Sequence, residues 1–146
     1  MCMIVDANVA ADLCRSELSP HTQPVVDWIE KRGRQIVHGG RLTEELTVNR
    51  RVSRWLRSLS QAGRAIQVSA VSVAAEITKV QESAQCVSND AHIIALARVS
   101  GARLLYSHDQ DLHSDFTNPA LLNQPRGSVY QNAAHRHLLS TAVCQP

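Results

Sequence analysis

The chain has 146 residues and a formal charge of +2 at pH 7, from fifteen Lys and Arg against thirteen Asp and Glu. That length suits one domain, expected over residues 1–146, and is short for two; a nearly balanced charge neither requires nor excludes a nucleic-acid partner, so the placement of charge must decide. No apolar run approaches a membrane span, the start lacks the pattern of a secretory leader, and Cys2, Cys14, Cys86 and Cys144 are dispersed without a CxxC pair, so reduced thiols, a cytoplasmic location and no membrane partner are expected.

Met3-Ile4-Val5 reads as a short buried strand that runs into Asp6-Ala-Asn8, with a helix predicted over about 8–18. A second helix is predicted over about 22–32, carrying Val25, Val26 and Ile29 and breaking at Gly33. Gln35-Ile36-Val37 is the next strand, and Gly39-Gly40 the turn after it. From Leu42 to about Leu59 the pattern predicts one long helix. At roughly 100° per residue Leu42, Leu46, Val52, Leu56 and Leu59 share a face, with Arg50, Arg51, Arg54 and Arg57 on the far side. Glu45 falls within the apolar face whereas Glu44 does not. A carboxylate aimed at a core is costly unless it is paired or metal-bound, which makes Glu45 the informative one.

Ala65-Ile66-Gln67-Val68 suggests a further strand and about 71–85 a helix of mixed character. Residues 89–100 form a largely apolar helix in which Asp90, Ile93, Ile94 and Ala97 share a face. Gly101 ends it, and Ala102-Arg103-Leu104-Leu105-Tyr106 is a strand leading into Ser107-His108-Asp109-Gln-Asp111. The segment from about 116, with Asn118-Pro119 and Pro125-Arg126-Gly127, reads as turns around a short element. Short apolar strands alternating with helices argue for a parallel sheet covered on both faces. Asp6 and Asp109 would then lie at the carboxyl ends of strands, with Glu45 and Asp90 brought in near helix N-termini.

At these residues the chain resembles the PIN-domain nucleases, including their toxin-like branch. Ile-Val-Asp6-Ala-Asn8 matches the first family motif, Glu45-Leu46 the second, Asp90-Ala-His-Ile-Ile-Ala-Leu-Ala the third and Ser107-His-Asp109-Gln-Asp111-Leu the fourth, together spanning roughly residues 3–116. An aromatic residue often follows the final acid in the family, whereas this chain has Leu112. The resemblance implies a three-layer α/β/α sandwich around a mostly parallel sheet of four or five strands, with residues 117–146 an extension of no assigned role. It also implies Mg²⁺ or Mn²⁺ held by Asp6, Glu45, Asp90 and Asp109, with Asn8, Ser107 and Asp111 in support, and cleavage of RNA. A toxin role with a cognate antitoxin, and a homodimer, belong to the same expectation.

The chemistry agrees with those residue types. A phosphodiester resists attack because its oxygens are already negative, and a hard cation on oxygen ligands both neutralises that charge and supplies a deprotonated water near pH 7. Arg41, beside the second motif, is the basic residue best placed to meet substrate. With aromatic residues at only 3%, recognition by extensive base stacking is not expected. Each acid also has an ordinary reading: Asp6 and Asp90 as helix caps, Asp109 and Asp111 as turn formers, and Glu45 as the partner of an arginine. His92 and His108 flank the acids and are expected to be exposed bystanders. Two rival functions remain, an aspartyl phosphatase with Asp6 as nucleophile and a catalytically silent module that binds RNA or protein. Asn8 stands where the phosphatase wants a second Asp, and Lys79 is poorly placed for it.

Overall fold

The computed structural model describes residues 2–141. Five strands form one parallel sheet in the order β3-β2-β1-β4-β5. They are β1 (Cys2–Val5), β2 (Gln35–Gly39), β3 (Ala65–Val68), β4 (Leu104–Tyr106) and β5 (Ser128–Tyr130). Helices α1 (Ala7–Leu13), α2 (Gln23–Glu30), α3 (Arg41–Thr47), α4 (Arg50–Gln61), α5 (Ala70–Glu82), α6 (Ala91–Ser100), α7 (Gln110–Phe116) and α8 (Leu138–Thr141) flank the sheet. This is the α/β sandwich expected from the sequence.

Burial follows position in the sheet. Every residue of central β1 and β4 is buried, while edge strand β3 is half exposed, as expected where a parallel sheet is covered on both faces only in its middle. Helix α6, eight of whose ten residues are buried, lies against β2, β3 and α5. Gly101 ends α6 at φ +79, in the left-handed region that glycine enters without strain. Gly40, at φ +54, lets the chain leave β2 and start α3 at once.

Three expectations are corrected. The long helix predicted from Leu42 to Leu59 is two helices, because Asn49 stops the run: its Oδ1 accepts the N–H groups of Arg51 and Val52 and caps α4. The segment after Phe116, expected as turns around a short element in an extension of no assigned role, is part of the sheet: its short element is β5, which pairs with β4. Leu121, Leu122, Tyr130 and Leu139 are buried in the core, Trp28 Nε1 donates to Leu139 O at 2.7 Å, and Tyr130 Oη donates to His21 O at 2.5 Å. Cys2 is disulfide-bonded rather than a thiol, while Cys14 and Cys86 are free; Cys144 lies outside the described residues.

Candidate active site

Parallel strands finish at one edge of the sheet, and there the chain turns outward. Val5 stands beside Tyr106 in the β1/β4 register, so Asp6 and Ser107 leave neighbouring strands together. The Asp6 N–H donates to Tyr106 O at 3.0 Å, and Ser107 Oγ donates to Asp6 Oδ2 at 2.7 Å. Asp6 heads α1 and Asp90 heads α6, yet neither side chain makes a capping bond. Their ordinary reading as caps is therefore lost. Asp109 keeps its own: Oδ1 accepts the N–H groups of Asp111 and Leu112 at 3.0 and 3.2 Å, which caps α7 and leaves Oδ2 without a donor among the described residues.

Glu45 reaches the same edge from α3, which packs against α6. Its Oε1 accepts Arg41 Nε at 3.1 Å and its Oε2 accepts His92 Nε2 at 3.2 Å. The pairing with an arginine open from the sequence is thus realised. Arg41 pairs with this acid while 61% of its side chain stays open to solvent. His92 is 3% exposed, not the exposed bystander expected, and its buried Nδ1 has no partner among the described residues. His108 is exposed, as expected. Among the supporting residues Ser107 is fully buried and central, whereas Asn8 and Asp111 are exposed and their side chains make no hydrogen bond among the described residues. Lys79, which a phosphatase would need, pairs with Glu76 on α5.

Electrostatics gathers the four acids. Burial pushes the Asp90 carboxyl above its ordinary value, repulsion from Asp6 adds to this, and Asp109 and Glu45 push further against an opposing pull from His92. Crowded carboxylates behave this way when no cation joins them.

Three further residues, outside the expected site set, hold these acids in place. Ser88 Oγ accepts the Asp90 N–H at 3.2 Å, and Ser107 Oγ accepts the Asp109 N–H at 3.1 Å, so a Ser-x-Asp turn precedes each helix. Asp115, 1% exposed, accepts the N–H groups of Val87 and Ser88, each at 2.9 Å. His113 Nε2 donates to Ser107 O at 2.6 Å. The repeated Ser-x-Asp spacing was readable, and so was Asp115 on the stripe of Leu112 and Phe116, an acid on an apolar face like Glu45.

The sequence matches the PIN domain over residues 3–115, the stretch that holds every one of these side chains. The chain belongs to the PIN-domain family. No curated protein and no solved structure matches it. PIN domains are generally nucleases and typically use divalent metal ions, so at the level of the family the chain has a nuclease-type fold.

The donor chemistry of this PIN domain fits such an ion. Asp6, Asp90 and Asp109 offer only oxygen, which hard divalent cations prefer. The softer donors nearby are engaged elsewhere, His92 on Glu45 and the Cys86 thiol on Asp115 at 3.1 Å. Among the described residues no three His, Cys, Asp or Glu side chains stand close enough together to hold an ion between them. Asp109 is half engaged in capping α7, and both carboxylate oxygens of Glu45 have partners in Arg41 and His92. No helix among the described residues is long and apolar enough to cross a membrane.

Proposed function

We propose that the chain is a divalent-metal-dependent endoribonuclease. The observation that carries this reading is Asp90: it stands at a helix head, takes no capping bond, and is repelled by Asp6, Asp109 and Glu45. In the proposed mechanism Asp6, Asp90 and Asp109 hold Mg²⁺ or Mn²⁺. The ion, when bound, supplies charge neutralisation at the phosphate and a water deprotonated near neutral pH. Ser107 keeps Asp6 turned outward from β1, and His92 and Arg41 keep Glu45 at the rim, where its carboxylate can orient the attacking water.

RNA needs a basic approach to an acidic pocket. Helix α4 carries no acid, and Arg50, Arg54 and Arg57 line one groove with Thr47 and Ser53, directly after the α3 segment that carries Glu45. The three arginines form no ion pair among the described residues. Like charges spaced three and four apart destabilise a helix, so a row of this kind supports a polyanionic ligand. Arg51 is set apart, on the side facing Cys14.

A second reading, the catalytically silent module, draws support from Glu45, both of whose carboxylate oxygens already accept a partner. Purified wild type and Asp90→Asn, each given a mixed pool of labelled RNAs with EDTA, Mg²⁺ or Mn²⁺, separate the two. Metal-dependent cutting lost in the variant is expected; RNA binding without metal-dependent cutting would favour the silent module. Homodimerisation and pairing with an antitoxin belong to the proposal as well. Sedimentation equilibrium tests the first, and co-purification with the product of a small gene immediately upstream tests the second.

A further inference from the structure

Helix α7 sends two side chains in opposite directions, one to each Ser-x-Asp turn. Residues two apart on a helix are separated by about 200°, so Asp115 and His113 cannot serve the same neighbour. Asp115 faces residues 86–88, whose three successive donors all converge on it: the Cys86 thiol at 3.1 Å and the Val87 and Ser88 N–H groups at 2.9 Å. His113 faces the end of β4. It accepts Gln131 Nε2 at its Nδ1 at 3.1 Å, which leaves the ring proton on Nε2 for Ser107 O.

What Asp115 holds would otherwise be loosely held. The segment between α5 and α6, residues 83–90, contains no fully buried residue and packs on the core only through the partly buried Cys86, so apolar burial does little to fix it. Asp90 is at its end. A carboxylate that is 1% exposed carries a desolvation cost, here met by donors from that one segment. The hydrogen bonds outweigh burial, and the Asp115 carboxyl lies below its ordinary value. From Asp115 the bonds continue through Ser88 to the Asp90 N–H; from His113 they continue through Ser107 to Asp6 and to the Asp109 N–H.

We propose that Asp115 and His113 are positioning residues through which α7 sets the spacing of Asp90, Asp6 and Asp109 for a divalent cation, an assignment that rests on the metal-nuclease reading above. Neither touches the ion. Outer partners of this kind, here joined to the ligands through Ser88 and Ser107, typically change metal affinity when they are replaced.

The test compares Asp115→Asn with Ile29→Val, a core variant in α2 that lowers stability without touching either turn. Mn²⁺ binding to the RNA-free protein is measured by calorimetry, together with melting temperature and amide exchange at Val87, Ser88 and Asp90. The asparagine keeps the shape of Asp115 but can accept at only one of the two positions that face N–H groups. Mn²⁺ affinity is expected to fall about ten- to a hundredfold in Asp115→Asn, with faster exchange at Asp90, and neither should change in Ile29→Val. His113→Gln should weaken Mn²⁺ binding without speeding exchange at Asp90. A folded Asp115→Asn that binds Mn²⁺ as tightly as wild type overturns the proposal. If wild type itself binds no Mn²⁺, the nuclease reading falls, and exchange at Asp90 alone judges the clamp: no acceleration overturns it. Should Asp115→Asn not fold, Ser88→Ala cuts the same chain of bonds one link later and is read by the same measures.

Discussion

The two Ser-x-Asp turns of this protein are alike in local structure and unlike in what supports them. In both, a serine hydroxyl accepts the N–H of the acid two residues on, and a helix follows. Ser107, however, ends a central strand. It is fully buried, and its hydroxyl also donates to Asp6. Ser88 lies within a segment with no strand and no fully buried residue, and that segment depends on Asp115. One turn is rigid because the sheet delivers it, and the other because a single carboxylate holds it. Equal motifs should therefore respond unequally to equal changes.

The largest effect should come from Asp115→Ala. It leaves two backbone N–H groups and a thiol facing a methyl group where a buried carboxylate had accepted them, and about 3 kcal/mol of stability should be lost in urea unfolding at neutral pH. The pH dependence gives an independent check. Because the folded Asp115 carboxyl lies below its ordinary value, its contribution is complete above the unfolded carboxylate pKa of about 4 and is lost as pH falls through the folded value. The difference between wild type and Asp115→Ala should accordingly shrink in that acid range. A difference that stays constant down to low pH would show that the carboxylate's charge is not what holds the segment.

Next in size is Ser107→Ala. It removes the donor to Asp6 and the acceptor for the Asp109 N–H from a fully buried position, at a cost of about 2 kcal/mol. A loss no greater than that of Ser88→Ala would break the comparison between the turns.

The comparison also explains what could be read from the sequence. The positions of Asp6 and Asp109 at strand ends and of Asp90 at a helix head were legible because each follows or precedes a short apolar run. The strand and helix alternation gave the sheet for the same reason. The break at Asn49 was not legible, since the apolar positions of α3 and α4 stay in phase across it and periodicity alone sees one helix. Neither was β5, a strand of three residues whose place is set by pairing with β4 rather than by its own pattern. Helix α7 was missed because Asp109 and Asp111 read equally well as turn formers. With α7 unseen, the signal that was present for Asp115, its place on the stripe of Leu112 and Phe116, went unused.

Asp90→Asn works in the opposite direction from these losses. The folded Asp90 carboxyl is raised by burial and by its acidic neighbours, so the metal-free protein loses stability as pH rises from the ordinary carboxylate value through the raised one. Asparagine cannot ionise and escapes that loss. At neutral pH the metal-free variant should melt above wild type, by less than Ser107→Ala falls below it. Added Mn²⁺ should raise the wild-type melting temperature in proportion to the logarithm of its concentration and leave the variant nearly unmoved. An Asp90→Asn protein that melts lower without metal would mean that the acids are not crowded in solution.

The smallest stability effect belongs to Ser88→Ala. Its hydroxyl accepts the Asp90 N–H at 3.2 Å and lies 3.9 Å from the Cys86 sulfur, in a half-exposed position where water can take over both contacts. About 0.5 kcal/mol should be lost, at the low end for a hydrogen bond, because Asp115 still holds the Val87 and Ser88 N–H groups. Its effect on Mn²⁺ affinity should nevertheless exceed what so small a loss of stability suggests, since the bond removed is the one that reaches Asp90. Stability and affinity thus part company at Ser88, whereas at Ser107 one hydroxyl serves the sheet edge and Asp6 together and the two should fall in step. Measuring both quantities in both alanine variants separates a turn that is held for the fold from a turn that is held for the ion.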